Sequence, residues 1–390
     1  MAHYTILLNS QPHATTYNHT QPHATTHNHT QPHNKKTKIK LINNLIKFKL
    51  LKIVITNNLN KMEKTQESSE YEGEKYFCTK ETLQETLDRF GVAVIPNVLT
   101  TEETTNMLSG MWDFFEKITE TWEQPMDRND KSTWVGIHKL FPMHSMLIQY
   151  FSVGHAQVSW DLRQNEKIVD IFAHFWKCEK HQLLTSFDGL SFNMPFEVTK
   201  RGYNRNNTWY HTDQSFLRDK FECMQSWVTG LDVEKDDATL AIYEGSNKYH
   251  KEFAEAFQVT NKADWYKLNK AEEQFYIDKG CEKKKIMCPA GSLVCWDSRT
   301  IHCGVEANKT RQNEKFRAVI YLCYQPRIRA SKAQIKKKRK AFEEMRSTSH
   351  WPCKVKLFPK NPRTYGNALP EITQIQRPNL TKLGKSLAGF

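Results

Sequence analysis

From about residue 183 the sequence consists of short runs rich in Phe, Tyr, Trp, Val and Ile, broken by Gly, Asn, Asp and Pro. Such runs are too brief for buried helices and match strands bounded by turns, so this part of the chain reads as a β sandwich or barrel. The stretch before it reads differently. ETLQETLDRF (81–90) is helix-like and stops at Gly91, the residue that most readily takes the left-handed conformation closing a helix. VAVIP (92–96) reads as a strand. Thr100 stands three residues before Glu103, a capping-box spacing, and opens a segment in which Met107, Leu108, Met111, Trp112 and Phe115 recur at helical intervals. Ile168, Ile171, Phe172, Phe175 and Trp176 predict a third helix over about 163–177. These apolar stripes are core positions.

Residues 1–61 cannot bury a core. They hold a ten-residue repeat, QPHATTYNHT then QPHATTHNHT, followed by a Lys- and Ile-rich stretch, and the eight Lys among them supply +8 of the net +13 with no acidic residue. This composition predicts a disordered, low-complexity basic extension. Met62 opens an ordinary acidic N-terminus, MEKTQESSEYEGEKYF, which makes it the expected native start. Nowhere do about 20 consecutive apolar residues occur, as a membrane span requires. Nine cysteines without a CxxC pair or an export signal fit reduced thiols in an intracellular protein, cytoplasmic or nuclear and not secreted. The sequons at Asn206, Asn308 and Asn379 then carry no glycan.

The chemistry sits in the strand-rich half. In TWYHTDQSF, His211 and Asp213 share a face if the segment is a strand, because side chains repeat every two residues. Far downstream, PAGSLVCWDSRTIHCGV has a glycine turn, an apolar strand and then His302, which a barrel can bring opposite the first pair. Two imidazoles and a carboxylate on one side of a metal are the facial triad of non-haem Fe(II) oxygenases, which leaves positions open for a co-substrate and oxygen. Cys303, next on the same strand, faces away. Cys281, Cys288 and Cys295 recur every seven residues without zinc-ligand pairing.

Over roughly residues 85–325 the chain resembles the phytanoyl-CoA dioxygenase family of Fe(II)/2-oxoglutarate enzymes. FGVAVIPNVLTTEE looks like that family's opening strand and helix, YHTDQ like its metal motif, and WVTGLDVEKDDATLAIYEGSNKYH like its strand, loop and PGSH region. AGSLVCWDSRTIHCG resembles the strand of the distal histidine, and KFRAVIYLCY the final strand bearing the co-substrate arginine. The resemblance implies a mainly β fold with flanking helices, a double-stranded β-helix of the jelly-roll, cupin-like type over 76–330, followed by a basic helix and irregular tail over 331–390. It further implies Fe(II) bound by His211, Asp213 and His302, with 2-oxoglutarate as co-substrate, O2 as oxidant and ascorbate as stimulant. Arg317 would grip the distal carboxylate of 2-oxoglutarate, a role its planar, permanently charged fork suits; Arg311 competes from the same loop. Trp227 and Asn193 match positions beside the co-substrate.

Three features depart from the family pattern. DATLAIYEGSN replaces its usual wording, Gly304 stands where a hydroxyl residue often helps hold the co-substrate, and the step from His302 to Arg317 is longer. The metal ligands are untouched. Halogenating relatives carry a small residue in place of Asp213, so the carboxylate points to hydroxylation.

The substrate is expected to be a small molecule, lipid-like or an amino-acid derivative, met at the pocket mouth by Phe187, Tyr203, Arg205, Trp209 and Arg299. The run IKKKRK (335–340) offers an alternative, a non-catalytic jelly roll contacting nucleic acid or protein through a basic helix. The plainer account of that run is a solvated helix face with Ile335, Phe342 and Met345 turned inward. No RNA-binding or DNA-reading motif accompanies it. A hydrolytic or isomerising metal site on the same barrel is a third reading.

Overall fold

The computed structural model describes residues 70–140, 147–362 apart from 204, 206 and 207, and 366–390 apart from 367 and 369. The repeat and basic stretch expected to be disordered over 1–61 lie outside the described residues. Gly91 closes the helix Leu83–Phe90 in the left-handed region, at φ 76°, its N–H bonding the Leu87 carbonyl. Thr100 and Glu103 form the anticipated capping box ahead of the helix Thr101–Thr119, which buries Met107, Met111, Phe114, Phe115 and Ile118. The third helix is shorter than its periodicity suggests. It runs Glu166–Trp176, because the Asn165 side chain accepts from the N–H groups of Lys167 and Ile168, and a separate helix, Gln157–Arg163, precedes it.

Among the described residues, twelve strands build two sheets. They are β1 (Tyr71–Glu72), β2 (Val92–Ile95), β3 (Leu183–Thr185), β4 (Leu190–Asn193), β5 (His211–Thr212), β6 (Met224–Thr229), β7 (Thr239–Tyr243), β8 (Tyr266–Lys267), β9 (Lys283–Ile286), β10 (Leu293–Asp297), β11 (His302–Val305) and β12 (Arg317–Pro326). One sheet has the order β1-β9-β7-β11-β5-β8 and the other β2-β10-β6-β12-β3, with β4 also pairing β12. The folded part thus begins at least as early as Tyr71, ahead of the expected residue 76, because β1 pairs with β9 and forms the edge of that sheet.

Strands β6, β7 and β10 are buried along their whole length, which requires cover on both faces. Between the sheets lie Val92, Val94, Trp227, Val294, Trp296 and Val319 from one and Leu240, Ile242 and Ile286 from the other. Behind the second sheet, Phe192, Val228, Leu293, Ile320 and Leu322 meet the helices 101–119 and 166–176. Behind the first, Ala241, Tyr243, Cys303 and Val305 meet the segment carrying Phe253 and Tyr276. Cys303 therefore points away from the inter-sheet space, as its alternation with His302 requires.

The basic run lies in the helix Lys332–Glu343 and is only partly a solvated face. Lys338 is 1% exposed. Its ammonium donates to the carbonyls of Thr185 and Pro352 and sits 4.2 Å from the centre of the Phe187 ring. Burial pulls its pKa down to about 7. Arg339 donates to the Gly389 carbonyl and stacks on Phe390. The tail, expected to be irregular, ends in a helix, Lys382–Leu387, whose Leu387 is buried. No helix among the described residues is long and apolar enough to cross a membrane.

Candidate metal centre

β5 and β11 pair antiparallel with His211 opposite His302, and His302 is also in register with Ile242 of the inter-sheet core. Residues opposite one another on paired strands share a face, so both imidazoles enter the space between the sheets. Asp213 follows just past the end of β5, its backbone N–H held by the Ser298 carbonyl at 3.2 Å. Its Oδ2 lies 3.7 Å from His211 Nε2 and 3.4 Å from His302 Nε2. One ligand atom from each of the three residues falls within 4.8 Å of the others. Atoms bound about 2.1 Å from one ion at right angles sit roughly 3 Å apart, so a small closure lets a single cation take all three.

The tautomers favour this. His211 Nδ1 faces the Trp209 carbonyl at 3.2 Å and His302 Nδ1 faces the Thr300 carbonyl at 2.9 Å. A carbonyl only accepts, so each Nδ1 carries the proton and each Nε2 offers its lone pair to the shared centre. Burial, then the neighbouring His302, lowers the pKa of His211 and keeps it neutral, as a ligand must be. Burial alone would raise Asp213, but His350, His211 and His302 outweigh it and hold the carboxyl well below its usual range. Gln225 donates to Asp213 Oδ2 at 3.1 Å and fixes its orientation. Neither Gln225 nor His350 stands out in the sequence. Gln225 carries a usable signal, two residues before Trp227 on the same strand face, whereas His350 arrives from beyond the basic helix.

Arg317 opens β12 in register with Asn193, is 5% exposed and lies 5.5 Å from the centre of the Trp227 ring. Its Nε donates to Ser191 Oγ and its Nη1 to the Ala238 carbonyl, and no carboxylate among the described residues pairs with it. A buried guanidinium without a counter-charge is costly, and an anionic ligand relieves that cost. Trp227 adds a buried indole N–H that has no partner among the described residues. Asn193 accepts from Ser191 Oγ at 2.8 Å. The competing Arg311 is engaged by Glu197 and Asp237.

The five residues expected at the mouth divide. Trp209 stacks on His211, with ring centroids 4.7 Å apart and planes 6° from parallel. Tyr203 and Arg205 lie further along the same edge, where Tyr203 bridges to Ala307 and both Arg205 and Lys309 sit over its ring. Phe187 is not at the mouth. Its backbone is bonded by Thr348 and its ring packs on Trp160, His155 and Phe342 beneath the basic helix, so it belongs to the core there. Arg299 is also otherwise engaged, forked onto Asp297 and donating to the Asp219 carbonyl. A residue that sequence reasoning missed, Trp265, contacts His211 from the side of β8 at 5.7 Å. All nine cysteines are free thiols.

The family model described as phytanoyl-CoA dioxygenase (PhyH) matches residues 87–317. The Ava biosynthesis cluster protein O of Aspergillus versicolor is 25% identical over 288 residues, covering 71% of this chain and 88% of that protein. A crystal structure from Salmonella typhimurium LT2, provisionally described as an oxidoreductase, is 12% identical with a TM-score of 0.51, covering 88% of this chain and 92% of that one. A hypothetical protein of Escherichia coli is 11% identical with a TM-score of 0.50 over the same shares of the two chains. At these identities the two structures speak to the fold alone.

Proposed function

Because the chain belongs to the phytanoyl-CoA dioxygenase family, we propose that it is an Fe(II)- and 2-oxoglutarate-dependent dioxygenase that hydroxylates a small molecule on a double-stranded β-helix formed by the two sheets. His211, Asp213 and His302 hold the ferrous ion, and Arg317, flanked by Trp227 and Asn193, takes the distal carboxylate of 2-oxoglutarate. The observation that carries this reading is the conjunction of a buried His-Asp-His group with a buried guanidinium that no carboxylate among the described residues compensates.

When bound, iron supplies the redox chemistry joining O2 reduction to conversion of 2-oxoglutarate into succinate and CO2 and to hydroxylation of a C–H bond, with ascorbate as stimulant. The chain's own residues do the rest. The Trp209 and Thr300 carbonyls hold each Nδ1 proton and so aim each Nε2 inward. Gln225 keeps one carboxylate oxygen of Asp213 in place. Trp296, 5.5 Å from His302 between ring centroids, and Ile242, in register with it, keep water from that side. No side-chain acid or base is needed for hydrogen abstraction.

The test is succinate release from 2-oxoglutarate with added Fe(II), O2 and ascorbate. Wild type should show metal-dependent turnover that His211→Ala abolishes. A wild-type protein that neither binds 2-oxoglutarate nor releases succinate overturns the reading.

A further inference from the structure

β5 and β8 pair with His211 opposite Lys267 and Thr212 opposite Tyr266. Side chains alternate along a strand, so His211 and Lys267 share one face, and Trp209 and Trp265, each two residues earlier in the chain, lie on that same face. Ring geometry agrees, with Trp209 parallel to His211 and Trp265 tilted 39° against it. Tyr266 goes the other way, onto Phe216 and Phe253.

β8 is the edge of its sheet, and the face it presents is open: Trp209 is 40% exposed and Trp265 50%. Single exposed apolar residues need no explanation, but two indoles meeting on one candidate metal ligand do. Packing accounts for only part of their surface. The Trp209 indole N–H donates to the Gly304 carbonyl at 3.2 Å, so that ring is set in position in advance. Lys267 is exposed, stands in register with His211, and among the described residues is paired with no carboxylate.

We propose that the substrate oxidised at this centre is an aromatic carboxylate, its flat ring lying on Trp209 and Trp265 and its carboxylate meeting Lys267. The inference rests on the oxygenase reading above and narrows its substrate. Two indole faces recognise a planar ring over a puckered one, because stacking needs flat contact. A lysine ammonium selects charge without demanding a forked geometry.

Isothermal titration calorimetry on the full chain loaded with Zn(II) and 2-oxoglutarate tests it with three probes: 2-naphthoate, its neutral analogue 2-naphthamide, and the puckered anion cyclohexanecarboxylate. Wild type should bind 2-naphthoate about tenfold or more tightly than cyclohexanecarboxylate, and Trp265→Ala should lose about tenfold while Trp265→Phe loses no more than about threefold. Lys267→Gln should weaken 2-naphthoate about fivefold and leave 2-naphthamide within about twofold. The proposal fails if cyclohexanecarboxylate binds as tightly as 2-naphthoate, or if Trp265→Ala or Lys267→Gln binds 2-naphthoate as wild type does. Wild-type succinate release, measured separately, separates the two levels: if it persists while the probes fail, only the substrate class falls; if it is absent and 2-oxoglutarate does not bind, the oxygenase reading falls with it.

Discussion

Arg317 is buried and the side chain of Arg311 is nearly so, yet they differ in what faces them: Arg311 is held by Glu197 and Asp237, whereas Arg317 meets a hydroxyl, a carbonyl and the face of Trp227. The two substitutions should therefore separate. Arg317→Met is expected to raise KM for 2-oxoglutarate about 10- to 100-fold, since a charge-assisted hydrogen bond contributes roughly 1.5–3 kcal/mol. Arg311→Met leaves two acidic side chains without their cation and should lower the thermal midpoint instead. Steady-state kinetics beside calorimetry distinguishes them, and an unchanged KM in Arg317→Met would count against the co-substrate site.

Metal binding should depend on all three ligands. Chelation with EDTA is expected to stop succinate release and added Fe(II) to restore it. Asp213→Ala should weaken Fe(II) by more than about 100-fold, whereas Gln225→Ala, which removes only the hydrogen bond to that carboxylate, should cost about tenfold. Equal losses in the two variants would mean that Asp213 is not a ligand.

Lys338 makes stability depend on pH. Its ammonium holds its proton less tightly in the folded protein, with a pKa of about 7, than in the unfolded chain, where 10.5 is ordinary. Between those values the unfolded chain binds more protons, so stability rises with pH across that window and is lowest, as far as this group acts, below it. Lys338→Met should be more stable than wild type at pH 6, by on the order of a few kcal/mol, with a flatter profile up to about pH 9. Urea unfolding at both pH values reads the difference, and parallel profiles would refute it.

Gly91 links a helix end to the metal centre. A Cβ there would come within 2.5 Å of Thr300 Oγ1, and the Thr300 carbonyl holds His302 Nδ1. Gly91→Ala should lower stability by about 1–3 kcal/mol and weaken metal binding about tenfold. Gly202 has a similar φ, +78°, with nothing among the described residues within 4 Å of such a Cβ, so Gly202→Ala carries the backbone strain alone and should leave metal affinity unchanged. Equal metal affinities in the two variants would disprove the link.

Features that depend on near neighbours are legible in the sequence: the Gly91 stop, the Thr100 capping box, and the alternation that puts His211 beside Asp213. His302 stands out because it follows a glycine turn and an apolar strand, and Arg317 because it begins one. Gln225 is only partly legible, through its spacing from Trp227, and His350 and Trp265 are not, since they reach the centre through the returning C-terminal segment and through strand pairing. Phe187 is misplaced by sequence reasoning for the same reason. Nothing local reveals that Thr348 bridges its backbone and turns its ring beneath the basic helix. Lys338 sits among basic residues that are exposed, so its burial depends on Thr185 and Pro352, of which Thr185 is far away in sequence.

Each imidazole at the centre is latched by the peptide oxygen two positions earlier on its own stretch of backbone. Backbone atoms are common to every residue type, so mutation at those two positions cannot delete the latch. The rim is thus free to be remodelled over evolutionary time for new substrates while the aim of the histidines stays constant.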